Sequence, residues 1–560
     1  MSTVKKSKKN LKIVAACLIP VVLFGSTFLF HDSLKKFAAK RVSFVAKWFT
    51  EKESENLAML VPSVTPVLRE VYEENLAQKI NETVFPDGYM ADVVTVENLE
   101  YLMLQKEDLI VYYLNEKTEG GKQVLVNNGK KTETFHWEYD FSDLLALCPR
   151  VGSFNGFERQ QFVFLHETKQ GQIMHILNAN SLTEYYVEEF ETALKEAFTV
   201  SAYVPVEQGM LLEAKANNIK YTYALPKETV SPLDYVVTVG KELYFEPTDG
   251  KIAFTSYVTA GELYLGELRG TLQFNGTVYA LERVVFYAYA EHTYGDMDSA
   301  SLLYPVTKED RSVRRITTYG DLGENLLVRI NEDLPQNLYA TESFVKTDGE
   351  YTYVENGVVK SKKGVDVSKY QADIDWEKVA ADGVEFAMLR LGFRGMGTNG
   401  TCELDPYFIQ NIEGALAAGI EVGVYFFSQA ITVEEAVEEA EFVIQYLKDY
   451  PITYPVAYDT EAITSYPSAR ANRMPKELRT DCAIAFMDTI AAAGYKPMLY
   501  ANTGWLIMKL DLERLSAYDL WYAYYGDDIY YPYHFTMWQY TSSGKVNGIP
   551  GTVDMNIYIP

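Results

Sequence analysis

The strongest constraint on this chain lies after residue 360, where apolar strand-like runs and helical runs alternate to the C-terminus. Strand GVDVS (Gly364 to Ser368) precedes a helix over Asp375 to Asp382, and FAMLRLGF (Phe386 to Phe393) precedes one over Pro406 to Ala418. VGVYFFS (Val422 to Ser428) precedes a helix over Val433 to Tyr450, and YPVAYDTE (Tyr454 to Glu461) one over Glu477 to Ala493. Four more strands follow as the helical text shrinks: Met498 to Asn502, Leu520 to Tyr525, Thr536 to Thr541 and Asp554 to Tyr558. Strands this apolar on both faces need helical cover, so eight of them predict an irregular (β/α)8-like, TIM-type barrel over residues 362–560. Asp405-Pro406 and Thr432 are helix-opening signals; Gly383, Gly419 and Gly494 are closing ones.

Active sites in such barrels gather at the carboxyl ends of the strands. Asp366 lies late in the first strand, Asp459 and Glu461 end the fourth, and Asp554 opens the eighth. Residues two apart in a strand share a face, so Asp459 and Glu461 are both expected to look into the barrel mouth. Four crowded carboxylates raise at least one pKa and keep that group protonated near neutrality, which supplies a general acid. A carboxylic acid beside a carboxylate is the usual equipment for glycosidic cleavage. Tyr425, Phe427, Tyr500, Asn502, Trp505, Tyr522, Trp538 and Gln539 are the candidate saccharide contacts. The acidic run Glu434, Glu435, Glu438, Glu439 and Glu441 reads as a solvated helix face.

The motifs GVDVSKYQ (364–371), DW (375–376), GVYFFS (423–428), PVAYDTE (455–461), YAN (500–502) and MWQYTSSGKVNGIPGTVDMN (537–556) resemble glycoside hydrolase family 25. These are lysozymes of the Chalaropsis type, N-acetylmuramidases. The resemblance implies cleavage of the β-1,4 bond between N-acetylmuramic acid and N-acetylglucosamine in peptidoglycan, without metal or other cofactor. It implies Glu461 as the general acid, Asp459 as the second carboxylate of the pair, and Asp366 and Asp554 as further acidic groups of the groove. Asp459 would either orient the substrate's own N-acetyl group or attack directly, and the sequence does not separate the two. Phe426 departs from the family, many members having His there, and this is expected to remove a hydrogen bond from the groove. The alternative reading is a catalytically weak or inactive glycan-binding scaffold of the cell wall machinery.

At the other end, five lysines between Lys5 and Lys12 precede an uncharged run from Ile13 to Phe30. About 27 Å of helix matches a bilayer's hydrocarbon thickness, so residues 1–12 read as a cytoplasmic basic tail and 13–30 as a transmembrane signal-anchor. A cleaved signal peptide has the same opening, but its apolar run is usually shorter and ends in small residues rather than Phe28, Leu29 and Phe30. Residues 33–60 read as an amphipathic interfacial or stalk helix. Basic residues on both sides of the run balance, so the orientation rests on the wall-directed function: cell membrane, single-pass, with the bulk of the chain on the cell wall side. The expected partners are peptidoglycan strands and, through residues 13–30, the lipid bilayer; protein partners are unread.

Between these ends, residues 64–355 read as a strand-rich α+β region of one or two units, with a helix over Val64 to Ile80 and another over Leu182 to Ala197. Asn275-Gly276-Thr277 reads as a hairpin turn. His136, His166, His175 and His292 lack a second ligand at metal-binding spacing. The predicted architecture is therefore multidomain: transmembrane helix, α+β middle and barrel. An excess of 77 acidic over 51 basic residues, a formal charge of −26, argues against nucleic acid as a partner.

Overall fold

The computed structural model describes residues 75–560, apart from residues 87, 97, 117–121, 157–159, 169–170, 207–208, 227–235, 249, 291–301, 321–322 and 528. The expected tail, anchor and stalk at 1–12, 13–30 and 33–60 lie outside the described residues. Among the described residues no helix is long and apolar enough to cross a membrane. A transmembrane helix is therefore not part of the observed fold.

The middle region is built almost wholly of antiparallel strands. A meander runs through Met90–Val96, Leu99–Lys106, Leu109–Leu114, Lys122–Asn127 and Thr132–Trp137, each strand paired with the next. A nine-stranded sheet has at its centre the long strands Val237–Thr248, Lys251–Ala260, Leu263–Phe274 and Tyr279–Ala290, and a four-stranded sheet packs on it around Leu212, Tyr223, Phe254, Leu268 and Phe286. The turn at Asn275 joins two of these strands, its Oδ1 accepting from the Thr277 amide at 3.0 Å. The helix expected over Leu182 to Ala197 is confined to Glu191–Ala197. Of the expected Val64 to Ile80 helix only its end is described, within Leu76–Glu82.

The C-terminal region closes into a barrel of eight strands: β1 (Lys362–Val367), β2 (Phe386–Arg394), β3 (Glu421–Phe427), β4 (Val456–Asp459), β5 (Pro497–Asn502), β6 (Asp519–Ala523), β7 (Met537–Gly544) and β8 (Val553–Tyr558). Pairing of β1 with both β2 and β8 completes the ring. Helices α1 (Trp376–Ala381), α2 (Phe408–Ala417), α3 (Val433–Leu447) and α4 (Lys476–Ala492) follow the first four strands. Two shorter ones, α5 (Thr503–Met508) and α6 (Leu512–Leu515), follow β5.

This is not the expected TIM-type barrel. Strands β1 to β7 run parallel to their neighbours, but β8 is antiparallel to both β7 and β1. The connection over residues 545–552 explains the reversal, since a parallel crossover needs about a dozen residues while an antiparallel return needs only a turn. Among the described residues no helix separates β6, β7 and β8. Asn75–Leu114 and Gly120–Pro560 form one compact unit.

The barrel is strapped from outside by the segment that precedes it. The Asn337 side chain donates to the Tyr531 carbonyl at 2.9 Å, and the Tyr339 hydroxyl to the Phe535 carbonyl at 2.8 Å. A hairpin of Phe344–Thr347 and Glu350–Glu355 lays Tyr351 against Trp538 and Tyr540, with ring centroids 4.7 and 5.3 Å apart. The helix face expected to be solvated carries an exception at its centre: Glu439 is fully buried and receives Arg394 Nε at 2.7 Å and Ser428 Oγ at 2.6 Å.

Candidate active site

The mouth of the barrel holds a cleft of about 550 Å³ lined by all four predicted carboxylates, Asp366, Asp459, Glu461 and Asp554. Asp366 is the penultimate residue of β1, Asp459 ends β4, and Glu461 lies just past that strand. Asp554 is the second residue of β8, and it reaches the mouth because β8 runs in reverse: its start lies where the other strands end. In an all-parallel barrel a residue at that position would lie at the opposite face.

Two carboxamides hold Asp366. Gln539 Nε2 and Asn556 Nδ2 both donate to its Oδ2, at 2.7 and 2.8 Å. Each amide is locked in turn: Gln539 Oε1 accepts from the hydroxyls of Tyr500 at 2.9 Å and Tyr525 at 2.7 Å, and Asn556 Oδ1 from Trp521 Nε1 at 2.8 Å. Asp459 is also buried, yet among the described residues its Oδ1 has no hydrogen-bond partner. A buried carboxyl oxygen left without a donor costs free energy in the empty protein and is free to engage a ligand.

All four acids bind their protons more tightly than free carboxyls. Burial is the leading cause for each. The charge of Asp554 adds to it at Asp366 and Glu461, and the charges of Glu461 and Asp366 add to it at Asp459. Asp554 is pushed up to about 6. Three side chains pull the other way: the Gln539 and Asn556 carboxamides favour the ionised form of Asp366, and the Arg390 guanidinium that of Asp459. Arg390 is fixed by the buried Asp405, with Nε and Oδ2 2.8 Å apart. Burial and mutual repulsion thus oppose full ionisation of the cluster, which favours an acid and a carboxylate coexisting in it.

Of the predicted saccharide contacts, Tyr425, Phe427, Tyr500 and Gln539 line the cleft. The other four do not. Asn502 caps α5, accepting from the Trp505 amide at 3.1 Å. Trp505 lies under Arg479, whose guanidinium sits 3.9 Å from the ring centroid. Tyr522 stacks on Tyr531 at 4.4 Å, and Trp538 is covered by the Tyr351 hairpin. Strand parity decides this: Tyr522 and Trp538 point outward, toward the packing layer, while their neighbours Trp521 and Gln539 point inward. Phe426 likewise packs outward against Phe442 and Phe486, so the departure from the family pattern falls in the core and not in the groove.

Sequence reasoning missed Trp521, Tyr525, Arg390, Lys369, Tyr370 and Phe393, which also line the cleft. A signal for Trp521 exists in the register: Asp459 pairs with Tyr500, and Tyr500 with Trp521, so one inward-facing row runs across three strands. The text LWYAYY, aromatic on both faces, does not reveal that register by itself.

Residues 365–549 match the family model described as Glycosyl hydrolases family 25. The chain is similar to Uncharacterized protein YegX of Escherichia coli (strain K12), with 28% identity over 205 residues, 35% of this chain and 68% of that protein. It is similar to Lysozyme M1 of Streptomyces globisporus, with 27% identity over 202 residues, 35% of this chain and 66% of that protein. A solved family 25 glycosyl hydrolase from Bacillus anthracis has 24% identity over 38% of this chain and 95% of its own, with a TM-score of 0.30. The motifs of the C-terminal third and the matched family model agree, and this part of the chain carries the glycosyl hydrolases family 25 signature over residues 365–549.

Proposed function

We propose that the chain is a lysozyme-type peptidoglycan hydrolase that cleaves the β-1,4 bond between N-acetylmuramic acid and N-acetylglucosamine. The observation that carries this reading is the convergence of Asp366, Asp459, Glu461 and Asp554 on one cleft flanked by Tyr425, Tyr500 and Trp521. Glu461 is the general acid. It lies past the end of β4, is the less enclosed of the β4 pair, and binds its proton more tightly than a free carboxyl because of burial and the charge of Asp554. Its proton passes to the glycosidic oxygen as the bond to the anomeric carbon breaks and positive charge develops on the sugar ring.

Asp459 assists from its unpartnered oxygen, either by accepting a hydrogen bond from the substrate's N-acetyl N–H or by bonding to the anomeric carbon. Ionised, it stabilises the developing positive charge in both cases, and Arg390 favours that ionised form. Asp366, fixed by Gln539 and Asn556, adds a charge that raises the proton affinity of Asp459. Since the polymer it acts on lies outside the membrane, the chain works on the extracytoplasmic side.

The purified protein incubated with cell walls is expected to release soluble fragments ending in reducing muramic acid. Glu461→Gln should lower that release by about 10²–10⁴-fold while leaving the circular dichroism spectrum unchanged. Undiminished release by the variant would remove Glu461 from the role. Fragments ending in reducing N-acetylglucosamine would replace the assigned bond with the other glycosidic linkage.

A further inference from the structure

A second depression, of about 630 Å³, adjoins the catalytic cleft, and Tyr525 and Ser542 line both. One of its walls is the end of β7 and the start of the turn after it, at Ser543 and Lys545; the other is the hairpin of Phe344–Thr347 and Glu350–Glu355. That hairpin lies before the family match at 365–549, so the family segment alone does not make this wall.

The hairpin is tied to the turn that carries Tyr525. Lys346 Nζ contacts Asp527 Oδ1 at 2.5 Å, and the Tyr351 hydroxyl donates to the same oxygen at 3.1 Å. Tyr525, two residues before Asp527, donates to Gln539, which holds Asp366. A continuous set of hydrogen bonds and one turn therefore runs from the hairpin to the catalytic floor. The charges facing the depression also limit what it accepts. Lys346 is paired with Asp527, and Glu350 with Lys363 at 2.7 Å, leaving Asp348 and Lys545 as one acid and one base. A wall of hydroxyls, tyrosine and balanced charge suits a hydroxyl-rich ligand such as a saccharide.

We propose that this depression is a distal subsite of the cleft, in which the hairpin wall binds further sugars of a glycan strand whose scissile bond lies at the carboxylates. The proposal rests on the hydrolase reading for the identity of the polymer, but the test is a binding measurement that does not require turnover. In the full chain carrying Glu461→Gln, calorimetric affinity is measured for peptidoglycan glycan oligosaccharides of two, four, six and eight sugars. Affinity is expected to rise with length, and Lys545→Ala or Ser543→Trp should reduce the gain for the longest oligomer by about five- to tenfold while leaving the shortest unaffected. Both side chains are exposed and outside the catalytic machinery, and Ser543→Trp blocks the depression where Lys545→Ala only trims it. Affinity that does not grow beyond four sugars, or growth untouched by both substitutions, overturns the subsite. A length-dependent gain lost in both variants, found in a chain that releases no wall fragments without the Glu461→Gln substitution, supports the subsite and removes the hydrolase reading instead.

Discussion

Asp366 and Asp554 are register partners across the junction of β1 and β8, where the ring closes antiparallel, and both side chains face the cleft. Like charges directly opposite across strands destabilise a sheet. Burial drives both carboxyls above their ordinary range, so the pair binds its protons more tightly than free carboxyls, and the charge of Asp554 adds to the effect at Asp366.

A stability prediction follows from the direction of that shift. Asp554 moves from 3.8 unfolded to about 6 folded, so ionisation opposes folding, and stability falls as pH rises from about 4 through about 6. Asp554→Asn removes this cost. Its thermal midpoint should exceed that of the unaltered protein above pH 6, by the equivalent of about 1–3 kcal/mol, and coincide with it near pH 3. Equal midpoints throughout would mean that Asp554 ionises at no cost.

The same substitution should move the pH profile of hydrolysis. With Glu461 as the proposed general acid, the alkaline limb is expected to report loss of its proton, and the charge of Asp554 raises the pKa of that group. Asp554→Asn should therefore shift the alkaline limb of kcat to lower pH. A shift to higher pH would show that Asp554 is not the charge that Glu461 senses.

Arg394 and Glu439 form a pair buried at the β2–α3 contact, and burial lifts Glu439 to about 7 despite its partner. Arg394→Met leaves that acid without its counter-charge and should cost about 3–5 kcal/mol in urea unfolding, whereas joining it with Glu439→Leu should recover most of the loss. If the double variant were as unstable as the single, Arg394 would matter for its packing and its bonds to the carbonyls of Gly400 and Glu435.

Two aromatic substitutions separate the groove from the packing layer. Trp538→Ala, under the hairpin, should lower stability by about 3–5 kcal/mol through loss of buried contacts. Tyr425→Leu, on the cleft wall, should raise KM for wall fragments with a smaller loss of stability. Steady-state kinetics and unfolding curves on both variants check the division, and the opposite pattern would reverse the two assignments.

Much of this was legible in the sequence because strand and helix periods are local properties of the chain. The eight barrel strands fall close to their expected positions, and α2, α3 and α4 lie within a few residues of theirs. The carboxylates were legible for the same reason: Asp459 and Glu461 close a buried run, and a charge there must meet either solvent or chemistry. The middle region was legible as strands, but the helix over Leu182 to Ala197 shrank to two turns, its first half taken by turns and bridges at the sheet edge.

By itself the sequence determined the strand succession, the four acids and the family likeness of the C-terminal third, since each depends on residues close together in the chain. Which face of each strand looks inward was settled only in the tertiary structure, because a one-residue change of register exchanges Trp521 for Tyr522 and Gln539 for Trp538. Ring closure likewise reversed β8 and carried Asp554 to the mouth, a consequence of the short connection at 545–552 and the pairing of β8 with both β7 and β1. The hairpin's cover over Trp538, and its wall beside the cleft, arise from contacts between residues nearly two hundred positions apart, which no local pattern encodes.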